Sequence, residues 1–205
     1  MHGLVGRALE SFLEDEHGPE VRRAALERAA LPPDGFRSTR TYPAGAVPLL
    51  LQAASARIGL PPRTLLVDLG IWLVSKPRNE ALRRLVRFGG EDFTGFLHSL
   101  EDLPARGRLA VPGLDLPRIA MLDRNPIYEI TTEAPECGAG WVTSGVLRGM
   151  ADDYGVLALV EHRGLMRRGG LCMERITVEV ADDDHAAGRS FDLVPTREGS
   201  AGAAS

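Results

Sequence analysis

The hydrophobic pattern of this chain changes its period once, near Pro112, and that change limits the architectures open to it. Before it, apolar residues recur at three- and four-residue spacing, as Leu4, Val5, Ala8, Leu9, Phe12 and Leu13 do, which places them on one stripe of a helix. After it, RIAMLD (118–123) and IYEITTE (127–133) are short, contain β-branched residues and flank the turn-favouring Asn125-Pro126, the mark of strands. The pattern predicts a first helix ending near Gly18 and a second over residues 20–30. A third spans 43–60, a fourth 61–76 opened by two prolines, a short fifth starts at Pro77, and a sixth covers 91–103. Beyond the first two strands, Trp141, Val142, Val146, Leu147 and Met150 share a face of a helix that Gly155 stops. VLALVEHRG (156–164) and LCMERITVEV (171–180), joined by an Arg-Arg-Gly-Gly turn, then form a β-hairpin. The reading is α+β: a helical lobe of six helices over 1–110, a β-β-α-β-β lobe with an antiparallel sheet over 111–180, and a disordered tail over 181–205.

A chain of 205 residues with 44% hydrophobic content can bury a core without metal or disulfide, and it is neither fibrous nor wholly disordered. Its net charge of -4 argues against nucleic acid as a partner. The first helix is interrupted by Arg7, Glu10 and Glu14, so it reads as neither a signal peptide nor a membrane span, and no membrane partner is expected. With two cysteines, the expected compartment is a reducing cytoplasm. No nucleophile elbow, zinc-protease motif or phosphate loop is present, GGEDF (89–93) opens a helix, and the Asp182-Asp183-Asp184-His185 run reads as solvated; the chain is expected not to be an enzyme.

Several segments, taken in order, carry a family likeness. They are MHGLV at the start, YPxxxxxxLLxAAxxxxGL (42–60), LLxxxGxWLV (65–74), GGEDFTGFLHSLEDL (89–103) and LxLP (114–117). Together they resemble the haem-nitric oxide/oxygen binding (H-NOX) domain over residues 1–180. The resemblance implies a cytoplasmic sensor that holds haem between two lobes and reports to a kinase, cyclase or chemotaxis partner.

Haem iron needs a neutral imidazole as its proximal ligand. In the family that histidine ends a segment similar to FLxxLDxLH; this chain has FLHSLEDLP, so the resemblance puts Pro104 in its place. His98 lies six residues earlier, about 240° around an ideal helix, and is expected at a surface or lobe interface. The family's Tyr-x-Ser-x-Arg motif for the haem propionates corresponds to Thr132, Ala134 and Glu136, and a carboxylate there repels where arginine would pair. An alternative placement at Tyr128 brings Ile130 and Thr132 and still lacks the arginine. Leu4, Val5, Leu73, Val74, Leu103 and Pro117 fall on the family's pocket-lining segments, where an apolar small molecule, or simply packed side chains, could replace haem.

Some members of the family are similar to this chain in a second feature, a zinc site in the β lobe. Cys137, His162 and Cys172 match three of its four ligand places; Arg175 stands at the fourth, leaving Glu161, Glu174 or water to complete a tetrahedron. The same cysteines could instead form a reversible disulfide or stay reduced and inert. The functional expectation is a stand-alone regulatory domain that has lost ordinary haem ligation and acts through another ligand, a thiol or zinc switch, or protein contacts. A haem-binding gas sensor with unusual ligation and a ligand-free interaction module remain the alternatives.

Overall fold

The computed structural model describes residues 1–181; the tail expected over 181–205, with its acidic run, otherwise lies outside them. The helical half runs α1 (Gly3–His17), α2 (Pro19–Arg28), α3 (Ala46–Ile58), α4 (Pro62–Ser75), α5 (Glu80–Arg87), α6 (Phe93–His98) and α7 (Leu103–Ala110). Then come β1 (Arg118–Arg124), β2 (Ile127–Ala134), α8 (Ala139–Tyr154), β3 (Ala158–Arg168) and β4 (Leu171–Val180). The α+β class and the β-β-α-β-β order are those that the hydrophobic period predicts. The four strands form one antiparallel sheet in the order β1-β2-β4-β3.

One element departs from expectation. The sixth helix is not a single run over 91–103: α6 ends at His98, a 3-10 turn covers Ser99–Asp102, and α7 begins at Leu103. Seven helices therefore precede the sheet, not six. Asp92 caps α6 by accepting the Gly95 N–H at 2.7 Å. Arg106 of α7 donates back to the Ser99 carbonyl oxygen at the break and to the Leu85 carbonyl oxygen near the end of α5. Pro104 thus sits in the first turn of α7, where its missing N–H costs nothing, and does not kink a helix interior.

Turn chemistry decides the β half. Gly169 and Gly170 both have positive φ, 59° and 80°, the conformation a two-residue hairpin loop demands. On the inner face, Tyr128, Ile130 and Thr132 of β2 and Cys172, Glu174, Ile176 and Val178 of β4 alternate inward and are buried.

Two apolar cores result. The first joins Leu9, Phe12 and Leu13 of α1 with Leu26, Leu50, Leu65 and Trp72 from α2, α3 and α4. The second joins Val86, Phe93, Phe96 and Leu100 with Leu147 and Met150 of α8 and the inner face of the sheet. Helices α5 to α6 therefore share their core with the strands. Among the described residues no single helix is long and apolar enough to cross a bilayer. The first core also contains a carboxylate: Glu10, fully buried, accepts from the Phe36 N–H at 2.5 Å and from Arg22 at 2.8 Å, binding the loop before α3 onto α1 and α2.

The cores meet where α4 crosses α8. A Cβ on Gly70 would lie 2.2 Å from the Val142 carbonyl oxygen, and one on Gly145 would lie 2.0 Å from the Val67 carbonyl oxygen, so the two backbones touch. Alanine at Gly145 brings about 1 kcal/mol of helix propensity but must overlap backbone, which has nowhere to go. Gly145→Ala is expected to destabilise by roughly 1–3 kcal/mol net, read as a lower urea midpoint with unchanged slope.

Candidate functional site

The loop between β2 and α8 carries three consecutive residues, each tied to an element outside the loop. Glu136 accepts the backbone N–H of Gly45, the residue that opens α3, at 2.7 Å. Cys137 is joined to Cys172 of β4 by a disulfide, with the Cα atoms 5.2 Å apart. The N–H of Gly138, which caps α8, donates to Glu174 of β4 at 2.8 Å. A sheet strand and the starts of two helices converge on this tripeptide.

Glu174 is the centre of the buried side of the site. At 1% exposure, its Oε2 also accepts the Gly140 N–H at 2.9 Å, so one carboxylate oxygen satisfies two amides at the positive end of α8. Its Oε1 meets His162 Nε2 at 3.1 Å. The imidazole of His162 stacks on Trp141 with ring centres 3.8 Å apart and planes 8° from parallel. Only glycine fits at 140: a Cβ there would come within 2.6 Å of Glu174. Ser144 closes the group by donating to the Gly140 carbonyl oxygen, while the Thr132 hydroxyl, opposite Glu174 in the sheet register, is buried without a hydrogen-bond partner.

The structure brings some of the expected residues together and separates others. Cys137, Cys172 and His162 are neighbours of this site, but not as a zinc set. The two sulfurs are bonded to each other, and a disulfide offers no thiolate to a metal. His162 faces Glu174, Glu161 pairs with Arg163, and among the described residues no group of three or more His, Cys, Asp or Glu side chains is arranged to hold a metal ion. Arg175, at the fourth ligand place, is exposed on the opposite face of β4.

Pro104 is buried in the first turn of α7. Thr132 is fully buried, Ala134 ends β2 opposite Cys172, and Glu136 is engaged with Gly45. The six apolar residues are divided between the cores: Leu73 packs against the first, Val74 and Leu103 in the second, while Leu4, Val5 and Pro117 are half-buried. Two surface concavities, of 340 and 350 Å³, are lined by none of the six; Ala24, Glu27 and Arg57 border one, and Glu16, Asp68 and Lys76 the other. His98 is exposed at the end of α6, 3.2 Å from Asp123 of β1, as a surface residue should be.

Sequence reading named Glu174 only as a spare zinc ligand and gave Gly45 no part. The signal that could have found Glu174 is an acidic residue at an inward position of β4, between Cys172 and Ile176, where an unpaired charge would be costly.

Comparison with known proteins agrees with this layout. The sequence model of the family described as Haem-NO-binding matches residues 2–155. A Cs H-NOX mutant carrying 4-cyano-L-phenylalanine superposes with a TM-score of 0.75 at 15% identity, over 89% of this chain and 97% of that one. A single-site mutant of the T. Tengcongensis H-NOX gives 0.74 at 15% identity, over 89% and 98%. An oxygen-binding H-NOX domain related to soluble guanylate cyclases, in its oxygen complex, gives 0.71 at 15% identity, over 89% and 96%. No curated protein matches the sequence.

Glu174→Ala would strand the Gly138 and Gly140 amides and the His162 imidazole. Such a change is expected to cost about 3 kcal/mol, whereas Glu179→Ala, on the exposed face of the same strand, should stay within about 0.5 kcal/mol. Urea unfolding of the two oxidised variants makes the comparison.

Proposed function

Because the chain belongs to the haem-NO-binding family, we propose that it is a regulatory domain on the H-NOX fold that works without the family's haem ligation, its state set by the Cys137–Cys172 pair and read out through protein contacts. The observation that carries this reading is Glu136. It stands where the family's propionate-binding arginine is expected, its charge is of the wrong sign for a propionate, and its carboxylate is already taken by the Gly45 amide.

The iron side of a haem site is equally poorly supplied. Pro104, at the place of the axial histidine, has no lone pair to offer iron. Nearby His98 is exposed and turned to Asp123, and the buried His162 is committed to Glu174 and Trp141. These donors do not suit haem.

The thiol pair supplies the alternative input. Cytosolic disulfides are mostly transient and regulatory, and a cytoplasmic location makes this one a switch between tied and untied arrangements of the loop before α8. A stimulus shifts such an equilibrium only by favouring one arrangement; reduction does so by removing the covalent tie to β4. The output is a contact with a signalling protein of kinase, cyclase or chemotaxis type, and the domain itself is not an enzyme.

An absorption spectrum of the protein expressed with excess haem precursor tests the reading. A featureless visible spectrum is expected; a stoichiometric Soret band that shifts with nitric oxide would overturn it in favour of a gas sensor. The double variant Pro104→His with Glu136→Arg is expected to raise haem uptake, and no gain would count against the placement of the two motif positions.

A further inference from the structure

We propose that Cys137 is a modification site, the sulfur at which a low-molecular-weight thiol enters the protein as a mixed disulfide. This deepens the redox reading above and rests on it. The two sulfurs of the pair stand in unequal surroundings. Cys172 is 1% exposed, on the inner face of β4 beneath the loop. Cys137 is only partly buried, in a loop at the rim of the sheet. Thiol–disulfide exchange depends on access to the attacked sulfur, and Cys137 is the less enclosed residue of the two.

The step balances without an outside oxidant. An incoming thiolate attacks Cys137 Sγ, the Sγ–Sγ bond breaks, and its electron pair leaves on Cys172 Sγ, which takes up the proton that the incoming thiol released. One disulfide is exchanged for another. A second thiol can then attack the adduct and release Cys137 as a free thiol. Throughout, Cys172 remains the enclosed partner, able to attack back on Cys137 and expel the adduct.

The neighbours of Cys137 turn this chemistry into a structural signal. Glu136 before it holds Gly45, the N-cap of α3, and Gly138 after it holds Glu174. A Cβ on Gly138 would lie 2.8 Å from Leu66 of α4, so the loop is packed tightly against the helical half. An adduct on Cys137 adds bulk in this packed segment while removing the tie to β4. The Glu136–Gly45 and Gly138–Glu174 hydrogen bonds are the first contacts to loosen, at the starts of α3 and α8.

The experiment treats the air-oxidised full chain with reduced glutathione, quenches with acid, and maps adducts by peptide mass spectrometry alongside hydrogen exchange. Glutathione on Cys137 is expected to exceed that on Cys172 by about tenfold or more, with faster exchange at residues 45–49 and 138–142. Adducts on Cys172, or equally on both, would overturn the assignment, and an adduct without faster exchange would overturn the coupling to the helices. In a second arm with oxidised glutathione, Cys172→Ser should still be modified at Cys137, while Cys137→Ser should resist until unfolded. Two free thiols in the untreated oxidised protein would sink the redox reading and this inference together; an intact disulfide that glutathione leaves untouched would sink this inference alone.

Discussion

Everything in this fold is arranged around one close approach, the crossing of α4 over α8 with glycine on both sides. Each helix belongs to a different half, and each faces away from its own core at that point. Gly70 and Gly145 allow carbonyl oxygens and α-carbons to meet directly, which leaves no layer of flexible side chains to absorb a shift. Interiors packed at crystal density transmit displacements. A movement at either end of α8 is therefore passed to α4, and through Leu65 and Trp72 to the first core.

The loop before α8 lies at the sensitive end of that lever. Carboxylates are placed with economy: Glu174 of β4 meets the amides of α8, Glu136 of this loop the Gly45 amide at the start of α3, and Glu10 of α1 the loop leading into α3. Each carboxylate stabilises backbone donors that would otherwise be unpaired at a chain reversal, and each joins elements distant in sequence. The matched H-NOX structures share the fold, and in this chain the Glu136–Gly45 hydrogen bond joins the two halves at this junction.

Much of the fold was legible in the sequence because it depends on local periodicity. The switch from three- and four-residue spacing to alternation near Pro112 placed β1, β2 and β4 within a residue or two, while β3 runs four residues beyond its expected end, and the paired glycines placed the hairpin turn. The divided sixth helix was not legible, because the break at Ser99–Asp102 is bridged by Arg106 donating to the Ser99 carbonyl oxygen, a contact that no spacing rule encodes. The site was half legible. Cysteines at positions 137 and 172 could be noted, but their proximity depends on the register that sets Ala134 opposite Cys172. The approach of His162 to Glu174 depends further on the register that sets His162 opposite Ile176, two residues from Glu174 on the same face of β4. Glu136 could be read as a charge reversal at a motif position, but not as a partner of Gly45, 91 residues away.

The disulfide also has a topological consequence. It closes a ring with a sequence separation of 35 that contains the whole of α8 and β3 and the arginine-rich turn between the hairpin strands. A protease that nicks the exposed backbone at Arg167 or Arg168 cuts the ring without releasing either piece, because the chain is still held through Cys137 and Cys172. Strand β4, at the centre of the sheet, stays covalently attached to the start of α8 for as long as the pair is oxidised. The same bond makes the molecule's survival after such a cut depend on the reducing power of its surroundings.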